Sequence, residues 1–217
     1  LDEPPAGWTL ADPRSAKPAM MAVLSGARLA LDGFAPWLAE AGYPISYSGA
    51  VRVLVTEQQL AVDRGLVYHP RTLVAGVGCE RGTPAAEIIE LVDFALRSQN
   101  LAPQSLACLA TVALKADETG LLDAARHYGV PLRLFSVDEL NQERYRLEQP
   151  SAVVEAEIGT PSVAEAAALG ETCSRASARM SPSASANSTS TPGTGVASTT
   201  PRAAWRAAVW ATSRRRT

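Results

Sequence analysis

The segment LVAGVGCERGTPAAE, residues 73–87, decides the fold. Its first residues, Leu73 to Val77, are apolar and small or β-branched, which is typical of a buried strand. A glycine-rich turn follows. Thr83 and Pro84 then begin an amphipathic stretch, because Thr is a good N-cap and Pro is tolerated at the first helical position. The segment therefore predicts a strand, a tight loop and a helix.

The loop between this strand and helix is the first candidate site. Its glycines allow a sharp turn that leaves amide groups facing a ligand, and a helix N-terminus favours an anion. Arg81 adds a full charge whose planar guanidinium pairs well with a carboxylate. We therefore predict substrate contacts at Gly78, Arg81, Gly82 and Thr83; the alternative is a structural turn without a ligand.

The same loop matches the dinucleotide fingerprint GxGxxG only in part. Arg81 stands where the third glycine is needed, and Gly82 comes one residue late. The segment that should end in a ribose-binding acid, SLACLATVALKADE (105–118), has Lys115 before any acid. Both departures argue against a dinucleotide cofactor.

Composition limits the class of protein. The chain has 217 residues, of which 47% are hydrophobic, and begins at Leu1, which is consistent with a fragment of a longer protein. No apolar run reaches the roughly 18–20 residues of a membrane span. The three cysteines are far apart and form no CxxC pair, which argues against a disulfide scaffold or a zinc site. We therefore expect a cytoplasmic protein with no membrane contact and no metal site.

Charge is distributed unevenly along the chain. Residues 171–217 hold seven Arg and one Glu, a net charge of +6, so residues 1–170 carry −8 of the total −2. An acidic body is a poor nucleic-acid binder, and an anionic ligand would need a local basic pocket.

The first third of the chain gives weaker signals. We interpret residues 1–18 as a linker and residues 20–41 as helical segments broken near Gly33 and Pro36. Two short strands are predicted further on, over residues 51–56 and 66–68.

Beyond residue 73, strands alternate with helices, which indicates an α/β domain. Gly129 should close a helix, and Ser136 with Glu139 forms a capping box. We predict a three-layer α/β/α sandwich with a mixed β-sheet, followed by a disordered C-terminal tail. The predicted elements are strands at 73–77, 106–114, 131–135 and 153–158, and helices at 84–98, 118–129, 137 onward and 161–169.

The tail, residues 171–217, is rich in Ser, Thr, Ala, Arg and Pro and has almost no large aliphatic residues. It offers too little apolar surface to offset the ordering entropy, which predicts disorder. A frameshift in a high-GC coding sequence would give the same mixture, and this alternative stays open.

Four motifs carry a family resemblance. They are GVGCERGTPAAEIIELV (76–92), LATVALKADETGLLDAA (109–125), VPLRLFSVDEL (130–140) and VVEAEIGTPSVAEAAAL (153–169). Through them, residues 70–170 resemble the C-terminal domain of the cobalamin-biosynthesis protein CbiG, which is shared with CobE. Residues 1–69 would then hold the linker and part of the CbiG middle region.

The resemblance implies an activity in cobalamin biosynthesis. CbiG is a cobalt-precorrin-5A hydrolase that opens a macrocycle δ-lactone and releases acetaldehyde. Its substrate is a tetrapyrrole that carries the cobalt, so no separate cofactor is expected. A CobE-like, non-catalytic tetrapyrrole-binding or carrier module is the alternative. A homodimer or an association with other enzymes of the pathway is compatible with either.

Three residues are candidates for catalysis. Cys79 lies beside a helix start and Arg81, which would both lower its pKa and favour a thiolate nucleophile. Glu118, or Asp117 beside it, could act as the base on a water that attacks the lactone. Glu155, predicted on an apolar strand, would be costly there unless paired. The alternatives are a packing residue for Cys79, a first-turn acid for Glu118 and an outward strand position for Glu155.

Four further residues are candidates for substrate binding. Lys115 and Asp117 follow a strand end, where α/β sheets place ligands. Thr160 and Ser162 belong to GTPS, residues 159–162, which resembles the first loop in its Thr-Pro pair. We predict that loops 78–83, 115–119 and 159–162 line one cleft at a single edge of the sheet.

Overall fold

The computed structural model describes residues 1–60, 65–180 and 208–212, with side chains described up to Thr172. These residues form two α/β units, each built on a four-stranded sheet. The predicted α/β class and the α/β/α layering are confirmed.

The first unit is a mixed sheet with one helical layer. Its strand order is β1-β4-β3-β2, and β1 runs antiparallel to β4 while the other pairs are parallel. Its elements are β1 (Trp8–Leu10), α1 (Ala16–Leu24), β2 (Leu29–Asp32), α2 (Pro36–Glu40), β3 (Val51–Val55) and β4 (Leu66–Pro70).

The core of this unit includes residues that were predicted to form a linker or a helical segment. Leu10 is buried on β1, and the backbone oxygen of the buried Leu1 accepts a 2.6 Å hydrogen bond from the Tyr68 hydroxyl. The structure thus replaces the predicted linker at 1–18 with a packed strand and helix. Leu29 lies on a strand, and the prediction of a helical segment there is wrong. Leu29 and Leu31 alternate only over a short run, so the apolar spacing did not distinguish a strand from a helix.

The second unit is a parallel sheet between two helical layers. The strand order is β7-β6-β5-β8, and every described pairing is parallel, so the mixed sheet expected here belongs to the first unit instead. Its strands are β5 (Leu73–Gly78), β6 (Leu106–Val112), β7 (Leu132–Phe135) and β8 (Ala208–Thr212). Its helices are α3 (Ala85–Ser98), α4 (Thr119–Tyr128), α5 (Val137–Gln142), α6 (Ala152–Ile158) and α7 (Val163–Met180).

Strand β6 is central to this unit. All seven of its residues are buried, as expected for a parallel strand covered on both faces. Helices α3 and α4 contribute Ile88, Val92 and Leu121 to the core on one face. Leu140 of α5 and the alanines of α7 form the core on the other face.

Two predicted helix ends are confirmed in detail. Ser136 Oγ accepts a hydrogen bond from the Glu139 amide at 3.2 Å, and Glu139 Oε2 accepts one from the Ser136 amide at 2.7 Å. Gly129 closes α4 with a φ of +61°. The predicted cap at Thr83 is wrong, since Pro84 is the N-cap of α3 and the Thr83 hydroxyl donates to the Glu80 carbonyl at 2.9 Å.

Residues 152–158 form helix α6, and their prediction as a strand is wrong. The two valines and the isoleucine favoured a strand, but alanines and glutamates fill the other positions and are good helix formers. Ser151 caps the start of the helix through its side chain, and Gly159 ends it with a φ of +86°. These flanking residues therefore outweigh the β-branched ones.

The predicted tail is described only in part. Helix α7 continues through Gly170 to Met180, beyond the expected end of the helix at residue 169. Residues 208–212 pair with β5 as strand β8. The rest of the predicted tail, 181–207 and 213–217, lies outside the described residues. Among those described, no helix is both long enough and apolar enough to cross a membrane.

Strand β5 and helix α7 approach so closely that a glycine is required between them. A Cβ added at Gly76 would lie 1.8 Å from the Ala164 carbonyl oxygen, while one at Gly78 would find its nearest atoms at 3.8 Å. We expect Gly76→Ala to lower the free energy of unfolding by about 1–3 kcal/mol through overpacking. Gly78→Ala is the matched control. Equal thermal unfolding midpoints for the two variants would contradict this packing.

Candidate functional site

A cavity of about 680 Å³ lies at the carboxyl ends of β5 and β6. The carboxyl ends of parallel strands are where open α/β sheets bind ligands. One wall is the loop after β5, another is the end of β6, and the third comes from α6 and the start of α7. Its polar lining residues are Cys79, Glu80, Arg81, Thr111, Lys115, Gln149, Ser151, Glu157 and Ser162.

The three predicted loops meet at this cavity. Gly78 to Arg81 come from the first loop, Lys115 from the second, and Pro161 and Ser162 from the third. The predicted common cleft is therefore confirmed. The third loop reaches it by another route, because it joins α6 to α7 and does not follow a strand.

Lys115 supplies the cavity with a positive charge. The residue is 9% exposed and lines the cavity. Among the side chains that the structure describes, none forms a hydrogen bond or an ion pair with its ammonium group. An ammonium group at the cavity wall without a protein partner can donate charge-assisted hydrogen bonds to an anionic ligand.

Arg81, predicted as the carboxylate clamp, already has protein partners. Its Nη1 donates to Glu118 Oε1 at 3.2 Å and to the Asp117 carboxylate at 3.4 Å, and its Nη2 donates to the Leu114 carbonyl at 3.0 Å. The Arg81 side chain is nevertheless 65% exposed. The Arg81–Asp117 ion pair is exposed on both sides and contributes little, whereas the pair with Glu118 has a buried carboxylate partner.

Glu118 connects the first two loops. Its side chain is 8% exposed, and its Oε2 accepts a 2.9 Å hydrogen bond from the Gly82 amide, in addition to the Arg81 contact. The loops also touch directly, since a Cβ at Gly120 would lie 2.0 Å from the Thr83 carbonyl oxygen. The geometry gives Glu118 a structural function that accounts for its burial, and Glu118 does not appear among the described residues that line the cavity.

The predicted thiolate at Cys79 is wrong. Burial raises the pKa of the Cys79 thiol above its ordinary value, and the carboxylates of Glu118 and Glu87 act in the same direction. Lys115 and the hydrogen bond with Thr83 lower the pKa but do not outweigh burial. Cys79 also packs against the core beneath α3. At neutral pH it is a neutral thiol beside the cavity.

The two glutamates of α6, the predicted Glu155 and the neighbouring Glu157, have different environments. Glu155 faces Arg144, whose Nη1 donates to its Oε1 at 2.6 Å, and Glu155 does not appear among the described lining residues. Glu157 does line the cavity, as do Val153, Val154 and Ile158. These four positions share one face of a helix. Of these two glutamates, the described cavity lining therefore includes Glu157 and not the predicted Glu155.

The remaining predicted residues have different environments. Ser162 lines the cavity, whereas Asp117 lies outside the described lining and pairs with Arg81. Thr160 is fully buried, and its hydroxyl has no hydrogen-bond partner within the described residues. Only Ser162 of these three could contact a ligand in the cavity directly.

Glu165 is a buried acid near the cavity that sequence reasoning did not single out. It is 2% exposed in the first turn of α7, where its carboxylate accepts hydrogen bonds from the Glu148 amide at 2.6 Å and the Gln149 amide at 3.2 Å. It thereby fixes the segment that brings Gln149 to the cavity wall. The sequence feature that could have indicated Glu165 is its position as the single acid within the apolar run VAEAAAL.

No metal cluster accompanies the cavity in the part of the chain that the structure describes. Nowhere in the described ranges do three or more His, Cys, Asp or Glu side chains form a group that could hold a metal ion.

The family of the chain follows from comparison with known proteins. Residues 73–191, more than half of the chain, match the family model described as "Cobalamin synthesis G C-terminus". The chain belongs to this family. The match begins at the first residue of β5, so the cavity lies within the family domain.

Curated relatives cover different shares of the chain. A cobalt-precorrin-5A hydrolase of Priestia megaterium is 37% identical over 118 residues, which are 54% of this chain and 31% of the relative. Protein CobE of a Sinorhizobium species is 43% identical over 97 residues, which are 45% of this chain and 63% of the relative. The chain thus spans less than a third of the hydrolase and under two thirds of CobE.

A solved structure is also similar. The crystal structure of CobE, described as a protein of the cobalamin biosynthetic pathway, shares 37% identity with a TM-score of 0.44, covering 45% of this chain and 69% of that one.

The environment of Cys79 leads to a prediction about its reactivity. Iodoacetamide should alkylate Cys79 slowly at neutral pH, with a pH midpoint above the ordinary thiol value because burial raises its pKa. Lys115→Met should move the midpoint further up, and Glu118→Gln should move it down, since these charges act in opposite directions. Peptide mass spectrometry separates Cys79 from the other cysteines. A midpoint below the ordinary value would contradict this account.

Proposed function

We propose that the family domain binds a carboxylate arm of a cobalt-precorrin or precorrin tetrapyrrole at Lys115. The ammonium group of Lys115 carries this proposal, because the residue lines the cavity and pairs with none of the described side chains. A charge-assisted hydrogen bond to a carboxylate would satisfy it. Tetrapyrrole intermediates have several acetate and propionate arms, and the relatives bear names from this pathway.

The apolar part of the cavity suits the rest of such a ligand. Val153, Val154, Ile158 and Val163 line the wall opposite the first loop. Apolar lining with a few polar groups is the usual composition of a small-molecule site. A carboxylate arm could reach Lys115 while the edge of the macrocycle packs against these side chains.

In the full-length protein, we propose that this domain contributes to cobalt-precorrin-5A hydrolysis. Water attacks the carbonyl of the δ-lactone and the ring C–O bond breaks, which gives a carboxylic acid and an alcohol. The alcohol then loses its O–H proton as the C–C bond to the macrocycle breaks, so that acetaldehyde leaves and the electron pair stays on the macrocycle, which takes up a proton. Glu157 is the carboxylate best placed to orient the water, because it lines the cavity and has no recorded partner among the described side chains. Glu118 and Glu155 are each engaged with an arginine.

The second candidate is a CobE-like binding module without catalysis. One observation favours it: of the three predicted catalytic residues, Cys79 is a neutral thiol and both glutamates have protein partners. A carrier needs an anchoring cation and an apolar wall but no base. Binding through Lys115 is common to both candidates, and only hydrolysis distinguishes them.

Replacing Lys115 tests the binding proposal. Lys115→Met keeps the apolar stem and removes the charge, so it should weaken binding of a corrinoid with free carboxyl arms by about 1.5–3 kcal/mol, tenfold or more. Arg28→Met is the control, because Arg28 is exposed and lies outside the described cavity lining. Absorbance titration measures both variants against the parent chain.

Two further measurements complete this test. The amidated form of the same corrinoid should bind Lys115→Met and the parent about equally, because it carries no carboxylate. Equal losses for Lys115→Met and Arg28→Met with the acidic corrinoid would refute the site. Release of acetaldehyde from cobalt-precorrin-5A would support the hydrolase, and binding without release would support the carrier module.

A further inference from the structure

A second cavity of about 680 Å³ lies on the first unit, where residues of α1, β3 and β4 contribute to its lining. Leu66 and Tyr68 belong to the core of this unit, so the alternation along β4 turns Val67 and His69 to the opposite face. Both line the second cavity, together with Arg52 of β3 and Gln104, which comes from the second unit.

This cavity is well separated from the site that contains Lys115. Gln104 lies just before the start of β6, whereas Lys115 follows its end. The seven residues of β6 at about 3.3 Å each separate the two ends by roughly 23 Å. A small ligand therefore cannot occupy both cavities, and the argument for this one is independent of the proposed function.

The cationic end of the cavity lies near the start of β4. In the register of the sheet, Val53 pairs with Leu66, which places Arg52 beside the first residues of β4. Arg14 lines the same end, where its Nε donates to Asp12 at 3.1 Å. Arg52 forms no ion pair with any side chain described. Among the described residues, Asp12, Arg14 and Arg52 give this end a net charge of +1.

The other end is neutral and offers a hydrogen-bond acceptor. His69 is 3% exposed, and its Nδ1 donates to the Thr56 carbonyl at 2.7 Å. Burial lowers the pKa of His69, so the ring is neutral at physiological pH. Because Nδ1 carries the proton, Nε2 is left as an acceptor, and no described residue donates to it. A ligand that meets His69 must supply a hydroxyl or another donor.

The two ends are too far apart for a simple inorganic ion. His69 is four strand residues beyond the position that pairs with Arg52, or about 13 Å along the sheet. The side chains shorten this span, but an ion with all its oxygens on one atom would meet only one end. The cavity volume lies in the usual range for small-molecule sites.

We propose that this cavity binds a small polyhydroxylated organic anion, with its anionic group at Arg52 and a hydroxyl at His69. Arg52 supplies a guanidinium for a phosphate or carboxylate group. His69 Nε2 accepts the hydrogen bond from the hydroxyl. Gln104, on the neutral end, can hydrogen-bond to further hydroxyls. Phosphate and carboxylate share this chemistry, and the test below separates them.

Ligand titrations on the full chain test whether one ligand binds the cationic end at Arg52 and the neutral end at His69 together. Ribose 5-phosphate and gluconate represent the phosphate and carboxylate forms, while ribose and inorganic phosphate each represent one end. Ribose 5-phosphate or gluconate, or both, should bind with a dissociation constant below millimolar. This binding should be at least tenfold tighter than that of ribose or phosphate alone. Whichever binds more tightly identifies the anionic group. Millimolar or weaker binding of both anions would overturn the proposal.

Variants and NMR locate the binding. Arg52→Gln should weaken binding at least tenfold, while Arg28→Gln, an exposed arginine outside the described lining, should leave it unchanged. The chain has only two histidines, so their imidazole nitrogens are easily distinguished. The ligand should shift Nε2 of His69 and leave the exposed His127 unaffected. Equal effects of the two arginine variants, or no shift at His69, would overturn the site.

Discussion

The ammonium group of Lys115, held in a cavity beside two strand ends, is the feature on which the account of the second unit depends. Lys115 as a residue is 9% exposed, and none of the side chains described by the structure pairs with its ammonium group. Its position follows from the central strand, because β6 is buried along its whole length and delivers the segment Ala113–Lys115 to the cavity. The chain up to residue 170 carries a net charge of −8, so this local cation sets the preference of the site for anions.

Buried carboxylates hold the walls around this cation in place. Glu118 ties the loop after β5 to the start of α4 through the Gly82 amide and Arg81. Glu165 does the same for the segment that precedes α6, through the amides of Glu148 and Gln149. Hydrogen bonds from backbone amides stabilise a carboxylate in the interior. Both acids therefore act on the shape of the cavity, and neither lies among its described lining residues.

Much of the second unit could be predicted from the sequence because its signals are local. The apolar run at 73–77, the capping box at Ser136 and the glycine after α4 each fix one element without help from distant residues. Helix α6 could not be predicted in this way, since its valines favoured a strand while the flanking Ser151 and Gly159 favoured a helix. That ambiguity directed attention to Glu155 and away from Glu157.

The state of the site residues depended on tertiary contacts that the sequence does not show. Cys79 was expected to ionise because of its charged neighbours, yet burial outweighs them and raises its pKa. Arg81 was expected to be available, yet Asp117, Glu118 and Leu114 engage it. In the first unit, the strand at Leu29 was hidden because only tertiary pairing with β3 distinguishes it from a helical segment.

Direct observation of the Lys115 ammonium group is the decisive measurement. The chain has two lysines, Lys17 and Lys115, so side-chain NMR of a lysine-labelled sample gives two resolvable signals. Lys17 is exposed and lies outside the described cavity lining, which makes it an internal reference. On titration with a carboxylated corrinoid, the Lys115 signal should shift to saturation while that of Lys17 stays constant. A shift at neither lysine, or equal shifts at both, would contradict the account.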